Sequence, residues 1–133
     1  MQGTALYQIQ KAIIKVLQTD EQLDVLVSEI LDEVPQDLEY PLIQVGEPLE
    51  NRFDSFDKKG KDVTFQLHIW SKYQGYKEAY QILNRINNLL DYQELEIDGF
   101  NTVYIRSEEV NAIRTDREFR QITVNYRIIV QDE

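Results

Sequence analysis

The sequence lacks cysteine entirely and contains a single histidine. Without cysteine it has neither disulfide bonds nor thiolate metal ligands, which fits a reducing compartment such as a cytosol. No apolar run approaches the roughly 20 residues of a membrane-spanning helix. The N-terminal stretch is amphipathic and lacks the apolar block and cleavage site of a signal peptide. We therefore expect neither a membrane span nor a transition-metal site.

Positive charge is also scarce, because 14 lysines and arginines face 24 aspartates and glutamates, for a net charge of −10. Tight binding to nucleic acid is not expected, since that affinity comes from cations that displace counterions from phosphates. Residues 20–39 carry eight acids and no lysine or arginine. The C-terminal stretch, in contrast, holds Arg114, Arg117, Arg120 and Arg127. Ordinary solvated faces explain this asymmetry most simply, and head-to-tail docking between copies is the alternative.

Motifs for catalysis are absent: there is no Walker sequence, no GxGxxG and no GxSxG. His68 lies in the middle of a predicted strand, and no local motif supplies a partner for it. A calcium loop starting at Asp54 fails because Phe56 stands where an oxygen ligand is required. Glu108 and Glu109 are adjacent, so in a regular strand they point to opposite faces. The sequence therefore predicts no enzyme, no metal and no cofactor.

Apolar periodicity predicts two main helices, over residues 4–19 and 75–90, with Thr4 capping the first. Asp20 is expected to cap a short second turn that includes Ile30. For the helix at 75–90 two capping boxes are open, Ser71 with Gln74 or Gly75 with Glu78. Strands are predicted at residues 42–45, 63–70, 101–113 and 119–130, and Gly46 and Pro48 indicate an edge or bulge after the first.

The stretch FQLHIWSKYQGYKEAYQILNRI, residues 65–86, changes its apolar period from two to between three and four. It therefore predicts a strand, a short link through a glycine, and a helix. One strand face is expected to hold Val63, Phe65, Leu67 and Ile69, and the helix stripe Tyr76, Ala79, Tyr80, Leu83, Ile86 and Leu90. In the last strand the corresponding apolar face is Ile122, Val124, Tyr126, Ile128 and Val130.

These elements predict one α+β domain over residues 1–133. Its mainly antiparallel sheet of about four strands has one polar face, and the two main amphipathic helices pack on the other. Between the first two strands, LENRFDSFDKKGKD reads as a long hairpin connection whose ends extend the strands. Its phenylalanines are expected either to fold back on the core or to serve as interface anchors. The candidate interface residues are Arg52, Phe53, Asp54, Phe56, Asp57, Lys58 and Lys59, with Arg117 and Arg120.

The order and spacing of these pieces resemble a known family. The chain begins with the helix ALYQIQKAIIKVLQTDEQL and the proline-flanked strand YPLIQVGEP. It continues with KGKDVTFQLHIWS and GYKEAYQILNRINNLLD, and closes with REFRQITVNYRIIV. Together they resemble the tail-completion, or tail-to-head joining, proteins of long-tailed bacteriophages and prophages, a family that includes tail terminators of related fold.

The resemblance implies a structural virion protein rather than an enzyme. It implies a ring, commonly hexameric, at the head-proximal end of the tail tube, which docks on the capsid connector and lets DNA pass. The implied partners are other copies of the chain, the tail-tube protein and the head–tail connector proteins. The implied location is the head–tail interface of the virion, and the host cytoplasm before assembly.

Two contacts are hypothesised on this basis. The acidic segment 20–39 would face the arginine-bearing final strand of a neighbouring copy. The loop with Phe53 and Phe56 would be mobile in the free chain and order on the tail tube or connector. The alternative function is a small oligomeric ligand-binding or regulatory α+β domain with a concave pocket.

Overall fold

A computed structural model describes residues 4–31, 40–54, 58–72, 75–114 and 119–133, apart from the side chains of Glu47 and Arg114. In chain order the elements are α1 (Leu6–Gln18), α2 (Glu21–Leu26), β1 (Glu29–Leu31), β2 (Leu42–Arg52), β3 (Gly60–Ser71), α3 (Lys77–Leu90), β4 (Phe100–Arg114) and β5 (Arg120–Asp132). Within the described ranges no helix is both long and apolar enough to cross a bilayer.

The strands form one sheet in the order β1-β2-β3-β5-β4. β1 runs parallel to β2, and every other neighbouring pair is antiparallel. The predicted α+β class and mainly antiparallel sheet are therefore confirmed, but the sheet is larger than the predicted four strands. The additional strand is β1, where Ile30 is buried and pairs with Ile43. Assigning Ile30 to a helical turn was wrong, because pairing with β2 outweighs a weak local preference.

The side of the sheet that the helices cover, here the covered face, carries the hydrophobic core. The alternating residues of β3 and β5 predicted for this face are all buried in one cluster with apolar residues of α1 and α3. Between the two strands the rings of Phe65 and Tyr126 stack with centroids 5.5 Å apart. Tyr126 also donates a hydrogen bond from its hydroxyl to Asn87 Oδ1 on α3. Burial raises the pKa of Tyr126, so the phenol stays protonated and available as a donor.

The helix starts differ from the predictions. Ala5, not Thr4, occupies the cap position of α1, and its backbone nitrogen donates to Glu50 Oε1 of β2 at 2.7 Å. A carboxylate from a strand therefore serves the helix end that a local side chain was expected to cap. Asp20 caps α2 as predicted and accepts a bond from the backbone nitrogen of Leu23 at 2.9 Å.

α3 begins after Tyr76, which makes no side-chain capping bond. The capping box of Gly75 with Glu78 is wrong, because Glu78 accepts a hydrogen bond from Ser71 Oγ at 2.7 Å. The alternative box includes Gln74, which lies outside the described residues. Tyr80 does not join the buried stripe: it stacks on Tyr76 at the helix side, and Ile82 is buried in the core instead.

Candidate assembly interface

As expected, both ends of the connection between β2 and β3 extend the flanking strands, since β2 continues to Arg52 and β3 begins at Gly60. At its base Phe53 donates from its backbone nitrogen to the Gly60 carbonyl oxygen at 2.9 Å. Asp54 accepts from the Gly60 backbone nitrogen at 3.3 Å and from Arg52 Nη2 at 3.1 Å. A β-carbon on Gly60 would lie 2.5 Å from the Phe53 oxygen and 2.9 Å from the Val130 oxygen. The strands can close here only around a glycine.

The hairpin end, defined as Arg52, Phe53, Asp54, Lys58 and Lys59, is exposed throughout. Phe53 has 45% of its surface accessible, so of the two expectations for this ring, burial in the core is wrong. The predicted interface residues Phe56 and Asp57 lie outside the described residues. The described part of the hairpin end therefore presents one aromatic ring beside three cationic side chains and the carboxylate of Asp54, which Arg52 binds.

The other side of the sheet, here the open face, is polar and lined by alternate residues of β3 and β5. Arg127 makes two hydrogen bonds to Asp62, at 2.9 and 2.5 Å, and lies 4.0 Å from Glu108. These carboxylates raise the pKa of Arg127, whose charge is fixed in any case. His68 is buried in this face, with Nδ1 2.9 Å from Thr123 Oγ1. The lone histidine is thus held as a structural residue of the sheet.

One end of the open face is closed by an aromatic cluster that was not predicted as a unit. The ring of Phe119 lies 5.1 Å from that of Tyr40 and 6.3 Å, edge-on, from that of Trp70. Lys72 Nζ lies 4.8 Å from the centre of the Tyr40 ring. Trp70 therefore packs within the chain and closes this end of the open face.

An open groove of about 480 Å³ crosses the middle of the open face. Its lining includes Leu49 from β2, Thr64 and Gln66 from β3, Asn125 from β5, and Glu108 and Glu109 from β4. The pairing of β4 with β5 shifts between Ser107 and Glu109, so both glutamates border the same groove. The prediction that they point to opposite faces was wrong, because it assumed a regular strand.

The groove presents an exposed apolar side chain, an exposed carboxylate and a buried hydrogen-bond acceptor. Leu49 is 60% exposed at one rim, and Glu109 is exposed at the other without an ion pair among the described residues. On the floor, the Asn125 Oδ1 atom is buried and finds no donor in the described part of the chain. A group that brings an apolar surface, a positive charge and a hydrogen-bond donor would complement it.

The charged segments of the first hypothesised contact are partly engaged within the chain. Arg85 binds both carboxylate oxygens of Asp20, at 2.9 and 2.5 Å, and holds the pKa of that carboxyl below its usual value. Arg120 is only 7% exposed, and its guanidinium lies 5.8 Å from the centre of the Tyr76 ring. Arg117 lies outside the described residues. Exposed acids nevertheless remain at Glu21, Asp24 and Glu29.

The described residues thus form a sheet with the core and helices on one side and an open, polar face on the other. Residues 11–131 match the family described as "Tail completion protein gp17", and the chain belongs to that family. This is a family of structural phage tail proteins and not an enzyme family. The match confirms the resemblance stated from the sequence.

The chain is similar to "Tail completion protein gp17" of Bacillus phage SPP1, with 26% identity over 95 residues, or 71% of this chain and 70% of that protein. Among solved structures, a chain of the "Virion of native gene transfer agent (GTA) particle" matches with a TM-score of 0.89 at 19% identity, covering 98% of this chain and 99% of that one. The structure of bacteriophage SPP1 gp17 matches with a TM-score of 0.58 at 23% identity, covering 94% and 95%. At these identities the two structures show the fold.

Proposed function

We propose that this protein completes the head-proximal end of a phage tail tube and joins the tail to the capsid connector, as a hexameric ring through which DNA passes. The family match carries the proposal, because it extends over residues 11–131 and so includes most of α1 and nearly all of β5. The expected partners are further copies of the chain, the tail-tube protein and the connector proteins.

The charge of the molecule supports this function. With a net charge of −10, the surface repels the phosphates of passing DNA instead of binding them. The fold also leaves surfaces for partners. Because the hydrophobic core lies on the covered face, the open face and the hairpin end remain available for contacts with other chains. A ring needs two such surfaces on each copy, because head-to-tail contacts join different patches.

The alternative, a ligand-binding domain, has less support. A pocket with apolar walls lies between α1 and the strands β2 and β3, lined by residues such as Ile9, Ile13 and Phe65. It encloses about 30 Å³, which is room for about one or two water molecules and far below the 300 Å³ or more of typical ligand pockets. The groove of about 480 Å³ reaches that volume, but it is open to solvent on the polar face of the sheet and is not an enclosed apolar pocket.

The hypothesised contact between segment 20–39 and the final strand needs a revised test. Changing Arg120 to glutamate would bury an unpaired acid, so loss of assembly would report misfolding. Arg117→Glu alone is the informative variant. If this contact closes the ring, Arg117→Glu blocks assembly while the purified chain keeps its unfolding midpoint, and normal assembly by this variant excludes the contact.

Electron microscopy of lysates from a phage or prophage that lacks this gene tests the proposed function. Full heads beside separate tails are expected. Tails of normal length would assign length termination to another protein, and overlong tails would assign it to this one. Intact infectious particles would overturn the proposal and favour the ligand-binding alternative.

A further inference from the structure

We propose that the hairpin end of one copy docks in the open-face groove of a second copy, and that this contact joins neighbours in the ring. The inference rests on the proposed ring function and names the two surfaces that meet. It also replaces the expectation that the hairpin end orders on the tail tube or the connector.

The two surfaces have complementary chemistry. The groove offers exposed Leu49, the exposed carboxylate of Glu109 and the buried, unpaired oxygen of Asn125. The hairpin end offers the half-exposed ring of Phe53 and the exposed ammonium of Lys59, which has no ion pair among the described residues. In the complex Phe53 packs on Leu49, while Lys59 pairs with Glu109 and polar donors of the hairpin end reach Asn125.

The hairpin end cannot fill the groove of its own chain. The register pairs Gly60 with Gln131, whereas the groove floor lies at the pairs Thr64 with Arg127 and Gln66 with Asn125. That separation is four to six residues along β3, or roughly 13–20 Å at about 3.3 Å per residue. The bonds that join Phe53 and Asp54 to Gly60 hold the hairpin end in line with the strands.

A second copy is therefore the occupant that the charges favour. The contact joins the exposed ammonium of Lys59 to the exposed carboxylate of Glu109 and uses different surfaces on the two copies, so it is heterologous and can close into a ring. Self-association by this contact also places opposite charges together in a chain whose net charge of −10 otherwise opposes it.

A charge exchange tests the pairing in a phage that lacks the gene and is complemented with variants. Lys59→Glu and Glu109→Lys are each expected to lower the yield of infectious particles by about tenfold or more, because every contact in the ring then juxtaposes like charges. The double variant restores the pair and the yield. The control, Lys11→Glu, changes a charge on α1 and is expected to keep the yield. Normal yields for both single variants, or no recovery in the double variant, would overturn the proposed pairing.

The cysteine-free sequence allows a direct proximity test in assembled particles. Particles carrying both Lys59→Cys and Glu109→Cys are treated with a short bismaleimide, which is expected to give a ladder of covalent multimers of this chain. Each single cysteine should give monomer only. A covalent product with the tube or connector protein, or monomer from the double variant, would overturn the inference. Intact particles in either case would leave the joining function standing, whereas normal virions without the gene would remove that function itself.

Discussion

The two faces of the sheet differ although the same strands build them. Along β3 the covered face carries Val63, Phe65, Leu67 and Ile69, each at most 3% exposed. Thr64, Gln66 and His68 alternate with them, and Trp70 follows. None of these four side chains belongs to the core cluster formed by the described residues. The comparison suggests that the covered face supplies the free energy of folding, while the open face keeps polar groups and a groove for contacts between chains.

The largest effect is expected from neighbours on β3 that point to opposite faces. Leu67→Ala removes a fully buried side chain and should lower the free energy of unfolding by about 2–5 kcal/mol. Gln66→Ala, one residue away on the open face, should cost less than about 1 kcal/mol. Urea unfolding followed by circular dichroism measures both. Equal losses would show that the open face contributes to stability as much as the core does.

The next effect concerns two glycines of the β2–β3 hairpin. Gly60→Ala forces a β-carbon against the carbonyl oxygens of Phe53 and Val130, which belong to the backbone and cannot turn away. We expect a loss of about 1–3 kcal/mol, as for other overpacked sites.

Gly46→Ala is the matched control, because nothing lies within 4 Å of a β-carbon there. Its effect should stay within about 0.5 kcal/mol. Thermal unfolding of both variants decides the point. If both unfold alike, the close approach at the base of the hairpin is not what orders the hairpin end.

Sequence reasoning identified the two faces because a period of two assigns each strand residue to a side without knowledge of its partners. It missed contacts that depend on distant residues. Glu50, on a strand, serves the start of α1, and β1 exists only because Ile30 pairs with Ile43. The choice between Tyr80 and Ile82 in α3 likewise depends on which side of the helix meets the sheet.

The two surfaces of the candidate interface also differ in how far the sequence predicts them. The hairpin end could be predicted because a charged loop with phenylalanines is visible in a short stretch of sequence. The groove could not, since Leu49, Glu109 and Asn125 come from three different strands, and Leu49 lies far from the other two in the chain. A local signal, the paired glutamates, was present, but the bulge that turns both toward the groove leaves no mark in the period of the strand.

A smaller effect is expected at the start of α2, on the helix side of the molecule. Asp20→Asn keeps a capping oxygen but removes the charge that binds Arg85. Because the pKa of Asp20 is lowered in the folded chain, its charge stabilises the fold above the ordinary aspartate pKa of about 3.9. That stabilisation is lost as the pH falls through the lower, folded value.

The free energies of unfolding of the wild type and Asp20→Asn should therefore differ at pH 7 and converge as the pH falls below 4. Asp24→Asn removes the same charge from an exposed position of α2 and serves as the control. Asp20→Ala should cost about 0.5–2 kcal/mol at pH 7 from loss of the cap alone. A gap between wild type and Asp20→Asn that stays constant with pH would contradict the assigned role of the ion pair.

The smallest effect on stability is expected at Asn125 on the open face, where a substitution should affect assembly without weakening the fold. Its amide oxygen is buried without a donor among the described residues, and valine at this position favours a strand and removes the unpaired group. Asn125→Val should leave the free energy of unfolding unchanged or raise it by up to about 1 kcal/mol. The same variant should lower the yield of infectious particles, because the groove floor loses its acceptor for the neighbouring chain.

Asn111→Val, an exposed change on β4 outside the groove, should affect neither the free energy of unfolding nor the particle yield. Lower stability with Asn125→Val would mean that the amide serves the fold, and unchanged particle yield would mean that the groove floor is not a contact.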